Sequence, residues 1–71
     1  MNQEDTYCDG VLIGKIGLNG QNMWVGTDLD GKEIISAHQR PDAYRALRSD
    51  ALKRGLLERV RKGVYRAVKG S

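Results

Sequence analysis

The 71-residue sequence has no phenylalanine, and only one tryptophan, one histidine, one cysteine and one proline. Each scarcity excludes something. A single cysteine, Cys8, forbids an intrachain disulfide, and a metal site would lack ligands. The only histidine, His38, has no serine or cysteine near it in sequence to suggest a nucleophile–base pair, and it reads as a loop or strand-end residue. The nine glycines form neither a Walker pattern nor a dinucleotide-binding one. Asp28-x-Asp30-Gly31 begins like a calcium loop but lacks the further ligands and the distal glutamate, so turn chemistry accounts for both aspartates. No apolar run is long enough to span a bilayer, and Met1-Asn2-Gln3-Glu4-Asp5 lacks the basic-then-apolar pattern of a signal peptide. These absences lead us to expect a non-enzymatic, cytoplasmic protein without metal or cofactor.

Acidic charge is scarce in one half only. Residues 1–38 carry six acids (Glu4, Asp5, Asp9, Asp28, Asp30, Glu33) against two bases (Lys15, Lys32), a balance of −4. Residues 39–71 carry ten bases (Arg40, Arg45, Arg48, Lys53, Arg54, Arg59, Arg61, Lys62, Arg66, Lys69) against three acids (Asp42, Asp50, Glu58), a balance of +7. The net +3 therefore hides a dipolar chain whose basic half should concentrate near polyanions.

The length allows one domain, which buries only about 60% of its unfolded surface. Homodimerisation would enlarge so small a core. Residues 1–10 read as a polar N-terminal segment, with the domain proper at 11–69. Val11-Leu12-Ile13 opens a strand, and Leu12, Ile16 and Leu18 share one side of a period-two pleat. Asn19-Gly20 reads as a two-residue hairpin turn, which pairs Ile16 with Met23 and Lys15 with Trp24. A four-residue turn at 28–31 then pairs Val25 with Ile34 and Trp24 with Ile35. The result is a three-stranded antiparallel meander at 11–18, 21–27 and 32–37. Pro41, Asp42 and the terminal Gly55 mark a helix over 41–54, with Ala43, Tyr44, Leu47 and Ala51 on its packing arc and Arg45, Arg48 and Ser49 turned away. Two apolar runs flank Arg61-Lys62-Gly63 as a final hairpin that pairs Val60 with Val64, Glu58 with Arg66 and Leu56 with Val68. The expected fold is a small α+β domain of order β-β-β-α-β-β.

Candidate binding residues follow from this layout. Arg45 and Arg48 lie on a helix face, while Arg59, Arg61 and Lys62 gather at the last turn with Arg66 beside them. Guanidinium groups so arranged suit a phosphate backbone. Trp24 and Tyr65 are the candidate aromatic contacts, with a place in the core as the competing role for each.

Two resemblances point to DNA. Leu47…Leu52-Lys53-Arg54-Gly55-Leu56-Leu57-Glu58-Arg59-Val60-Arg61-Lys62-Gly63-Val64-Tyr65-Arg66 resembles the end of winged-helix domains in bacterial antitoxin and regulator families. That resemblance implies Arg45 and Arg48 on a recognition-type helix, and Arg59, Arg61 and Lys62 in a wing touching phosphate. Trp24-Val25…Gly31-Lys32-Glu33-Ile34-Ile35…Ala43…Ala46-Leu47 is similar to the sheet and helix of AP2-like and integrase arm-binding domains, which implies DNA read by the sheet. The expected function is nucleic-acid binding, to DNA or RNA, through the basic C-terminal half. The alternative is a phage or mobile-element inhibitor of anti-CRISPR type, which binds an acidic or nucleoprotein partner such as a CRISPR effector.

Overall fold

Asp9 and Gly10 both take positive φ, 51° and 78°, the conformation that a two-residue type I′ hairpin turn demands. On either side of them β1 (Asn2–Cys8) and β2 (Val11–Leu18) pair antiparallel, from Asn2 opposite Leu18 to Cys8 opposite Val11. The segment read as a polar lead-in is therefore an edge strand. Our computed structural model describes residues 2–68; Met1, and Lys69-Gly70-Ser71 with the expected domain end at 69, lie outside the described residues. The chain continues through β3 (Trp24–Thr27), β4 (Glu33–Ala37), α1 (Arg40–Lys53), β5 (Leu57–Arg61) and β6 (Val64–Ala67). The first four strands form one antiparallel meander in chain order, and the last two form a separate hairpin. The α+β class and single helix stand as expected, with one strand added at the front.

A bulge decides which side of β2 enters the core. Thr6 faces Gly14 and Tyr7 faces Leu12, which leaves Ile13 without a partner on β1. The extra residue lets Ile13 and Gly14 turn to the same side, so the alternation changes phase. Ile13 and Ile16 are buried in the core while Leu12 stays exposed, contrary to the expected Leu12–Ile16–Leu18 face. Only glycine fits at Gly14. Its φ is +146°, and a Cβ there would lie 2.4 Å from the Thr27 carbonyl oxygen and 2.9 Å from a Leu47 methyl. Gly26 is crowded in the same way, with a Cβ 2.8 Å from Ile35, which lets Leu47 settle between the two glycines.

The next two turns share one design. Asn19 and Met23 close a three-residue loop, and the Asn19 side-chain oxygen accepts the N–H groups of Gln21 (2.8 Å) and Met23 (3.0 Å). Asp28 and Lys32 close the other, with the Asp28 carboxylate accepting from Asp30 and Lys32, both at 2.9 Å. Each loop ends on a residue at positive φ, Asn22 (60°) and Gly31 (85°). Asn19 thus opens its turn instead of occupying the middle, which moves the register by three. Leu18 faces Trp24 and Lys15 faces Thr27, so the expected pairs of Ile16 with Met23 and Lys15 with Trp24 do not form. On β4 a second bulge leaves Ile34 unmatched, and Val25 faces Ser36 while Gly26 faces Ile35, in place of the expected Val25–Ile34 and Trp24–Ile35 pairs.

Helix α1 starts one residue earlier than expected, with Pro41 in its first turn and Asp42 near its positive end. It ends in a Schellman arrangement: the Gly55 N–H donates to the Leu52 carbonyl (3.1 Å) and the Leu56 N–H to the Ala51 carbonyl (3.0 Å). Ala43, Leu47 and Ala51 are fully buried and pack with Ile13, Ile16 and Leu57 into one core, flanked by Trp24, Ile34, Ile35 and Tyr44. Leu57 carries the base of the final hairpin into that core.

Candidate nucleic-acid interface

Three contacts fix the base of the β5–β6 hairpin to the body. Leu57 is buried, the Asp9 carboxylate accepts the Ala67 N–H at 2.7 Å, and the Arg48 guanidinium lies 4.1 Å from the centre of the Tyr65 ring. Beyond them the hairpin stands clear. Val60 and Val64 are 50% and 38% exposed, and Arg59, Arg61, Lys62 and Gly63 are all exposed. The outline of the molecule, 39 × 23 × 17 Å, is correspondingly long.

In register the hairpin follows expectation at its base and departs from it at its tip. Glu58 faces Arg66, and the two form an ion pair. Arg59 faces Tyr65, but Arg61 faces Val64, so Val60 bulges out and its expected pairing with Val64 is not made. Successive residues of a strand point to opposite faces, so Arg59 and Tyr65 share the face opposite the one holding Glu58 and Arg66.

The candidate residues divide into those that the fold occupies and those that it does not. Arg45 pairs with Asp42 at 3.3 Å on the exposed helix surface, and Arg66 pairs with Glu58. Such exposed pairs contribute little to stability. Arg48 differs from the expectation that it points away from the packing arc. At about 100° per residue it stands about 40° past Tyr44. It is half-buried there, 4.1 Å from the centre of the Tyr65 ring and 5.8 Å from that of Tyr44. Arg59, Arg61 and Lys62 have no ion-pair partner among the described residues. Tyr65 joins this surface, whereas Trp24 is half-buried against the core.

A residue outside the candidate set organises the opposite end of the helix. Arg54 reaches Asp50 (2.7 Å), Asp30 (2.9 Å) and Asp28 (3.2 Å), tying the helix C-terminus to the β3–β4 loop. The Asp28 carboxyl is held below its ordinary value, first by the Lys32 N–H and then by the Asp30 N–H and Arg54, with its burial opposing them. Burial, and then the Cys8 thiol beside it, raise the Tyr44 phenol above its ordinary value. Its hydroxyl donates a long bond to the Tyr7 carbonyl, 3.5 Å. His38 is exposed where β4 leads into the helix.

No protein-family model matches this chain, and neither a curated protein nor a solved structure matches it. Among the described residues, no helix is long and apolar enough to cross a membrane.

Proposed function

We propose that this chain is a non-enzymatic binding module that engages nucleic acid through α1 and the β5–β6 hairpin. One observation carries the reading. Arg59, Arg61 and Lys62 are exposed together at a protruding tip with no acidic partner among the described residues, although elsewhere the chain matches Arg45, Arg54 and Arg66 to carboxylates. Three cations side by side repel one another, and a phosphate backbone relieves that repulsion while releasing its own counterions. Arg48 and Arg45 extend the basic surface along the helix, and Arg66 adds a cation on the other face of the hairpin. Contacts of this kind position a chain on nucleic acid without reading sequence.

The exposed Val60 and Val64 favour a second reading, an inhibitor whose tip docks on a nucleoprotein through apolar contacts framed by cations. Titration of labelled duplex DNA and RNA at two salt concentrations separates the two. The nucleic-acid reading expects binding at low salt that weakens steeply, with a slope of about −0.9 per phosphate contacted. Reversal of Arg59, Arg61 and Lys62 to Glu should lower affinity by more than about a hundred-fold, since each lost contact becomes a repulsion. No binding of either duplex by micromolar wild-type protein would sink the reading and leave the protein-partner one.

A further inference from the structure

Arg48 is the one candidate arginine that is half-buried, and an aromatic ring holds it where a carboxylate holds its neighbours on the helix. Asp42 neutralises Arg45 and Asp50 neutralises Arg54, but Arg48 has no ion pair among the described residues. Its guanidinium lies 4.1 Å from the Tyr65 centroid, well inside the range of a cation–π contact. Such a contact uses the face of the guanidinium and leaves its N–H edge open, whereas a carboxylate consumes the edge. Across the hairpin, Tyr65 is paired with Arg59 in the strand register, so a second, exposed arginine stands opposite it on the same face. One tyrosine thus has an arginine from the helix on its ring and another opposite it in the strand register.

Resting on the nucleic-acid reading above and deepening it, we infer that Arg48 and Arg59 form a fork for one phosphodiester, with Tyr65 as the positioning residue that presents Arg48. The chemistry is that of a phosphate diester, common to DNA and RNA. The stack restricts the long side chain of Arg48 before any ligand arrives, which lowers the entropy lost on binding. Arg59 then closes on the same phosphate from the hairpin side. A lysine in place of Arg48 would keep the charge but lose the planar pair of donors.

The test measures affinity for a short duplex DNA and a duplex RNA of the same sequence across a salt series, beside thermal melts of each variant. Arg48→Ala should weaken binding about ten-fold and make the salt slope shallower by about 0.9. Tyr65→Leu should weaken it about five-fold with the slope unchanged, because the charge remains and only its placement is lost. Tyr65→Phe should bind like wild type, and adding Tyr65→Leu to Arg48→Ala should cause no further loss. If Tyr65→Leu fails to fold, Arg48→Lys decides: about a three-fold loss at unchanged slope is expected, and wild-type affinity overturns the fork. Normal binding by Tyr65→Leu or Arg48→Ala, with the tip reversal still inactive, overturns the fork and leaves the broader reading standing. Failure of wild type to bind either duplex overturns both. A preference for one duplex identifies which backbone supplies the phosphate.

Discussion

At the C-terminal end of α1, Arg54 is surrounded by three carboxylates; at the hairpin tip, Arg59, Arg61 and Lys62 meet none of the described ones. The acids around Arg54 each have a structural use, since Asp28 shapes a turn, Asp30 lies within it and Asp50 lies on the helix. The folded chain therefore cancels part of the charge split seen along the sequence by bringing N-terminal acids to a C-terminal base. Among the bases left without an ion pair, Arg59, Arg61 and Lys62 are the ones grouped within four residues, at the exposed end of the hairpin. The Arg54 cluster joins two elements of the fold, whereas the three tip cations are exposed and join none.

Three changes probe that division. The largest effect belongs to the body. Gly14→Ala combines an unfavourable φ with a Cβ only 2.4 Å from a backbone oxygen, so the chain must shift where bulge, sheet and Leu47 meet. A loss of about 3 kcal/mol is expected from strain and disturbed packing, read as a fall in the urea midpoint. A midpoint near that of wild type would mean that the bulge is dispensable.

A smaller effect is expected of Asp28→Asn. The amide keeps an acceptor for the Asp30 and Lys32 N–H groups, as Asn19 does in the sister loop, but it loses the charge that meets Arg54. In the fold the Asp28 carboxyl titrates below its ordinary value, so its contribution is complete above about pH 4 and fades as pH falls through the lowered value. Urea midpoints for wild type and variant should therefore differ at neutral pH and converge in acid. A gap independent of pH would show that the charge of Asp28 contributes nothing. The smallest effect is on stability at the tip. Reversing Arg59, Arg61 and Lys62 should move the unfolding free energy by no more than about 0.5 kcal/mol per residue, because no described residue depends on them. A large drop in the melting temperature would instead make the tip part of the fold.

Much of the architecture was legible in local chemistry. Pro41, Asp42 and Gly55 placed the helix to within one residue, and the complementary charges of Glu58 and Arg66 gave the hairpin register at its base. The register between β2 and β3 differs because Asn19 opens a three-residue loop, and the remaining register differences share another cause. Bulges at Ile13, Ile34 and Val60 each change the phase of an alternation, and a period-two reading carries no record of an inserted residue. Strand β1 escaped because Asn2–Cys8 is a polar edge with one deeply buried side chain, Thr6. Its signal lay next door in Asp9-Gly10, a hairpin dipeptide as strong as the Asn19-Gly20 that was favoured. At the candidate site, the surplus of bases was visible in composition. The stack of Arg48 on Tyr65 was not, because it joins a helix to a strand and leaves no local pattern.

The bond from the Ala67 N–H to Asp9 carries a different consequence. Every strand pairing joins consecutive strands, yet this single bond joins residues 58 apart in the chain. Loop-closure entropy must be overcome before such a distant contact returns any free energy, whereas the hairpins assemble over short loops. Docking of β6 against the β1–β2 turn is thus expected to come late in folding. Its removal by Asp9→Gly, which keeps the positive φ of the turn, should quicken unfolding and leave the folding rate almost untouched, as the two limbs of a chevron would record. The bond that spans the most chain would then be the last to close and the first to open.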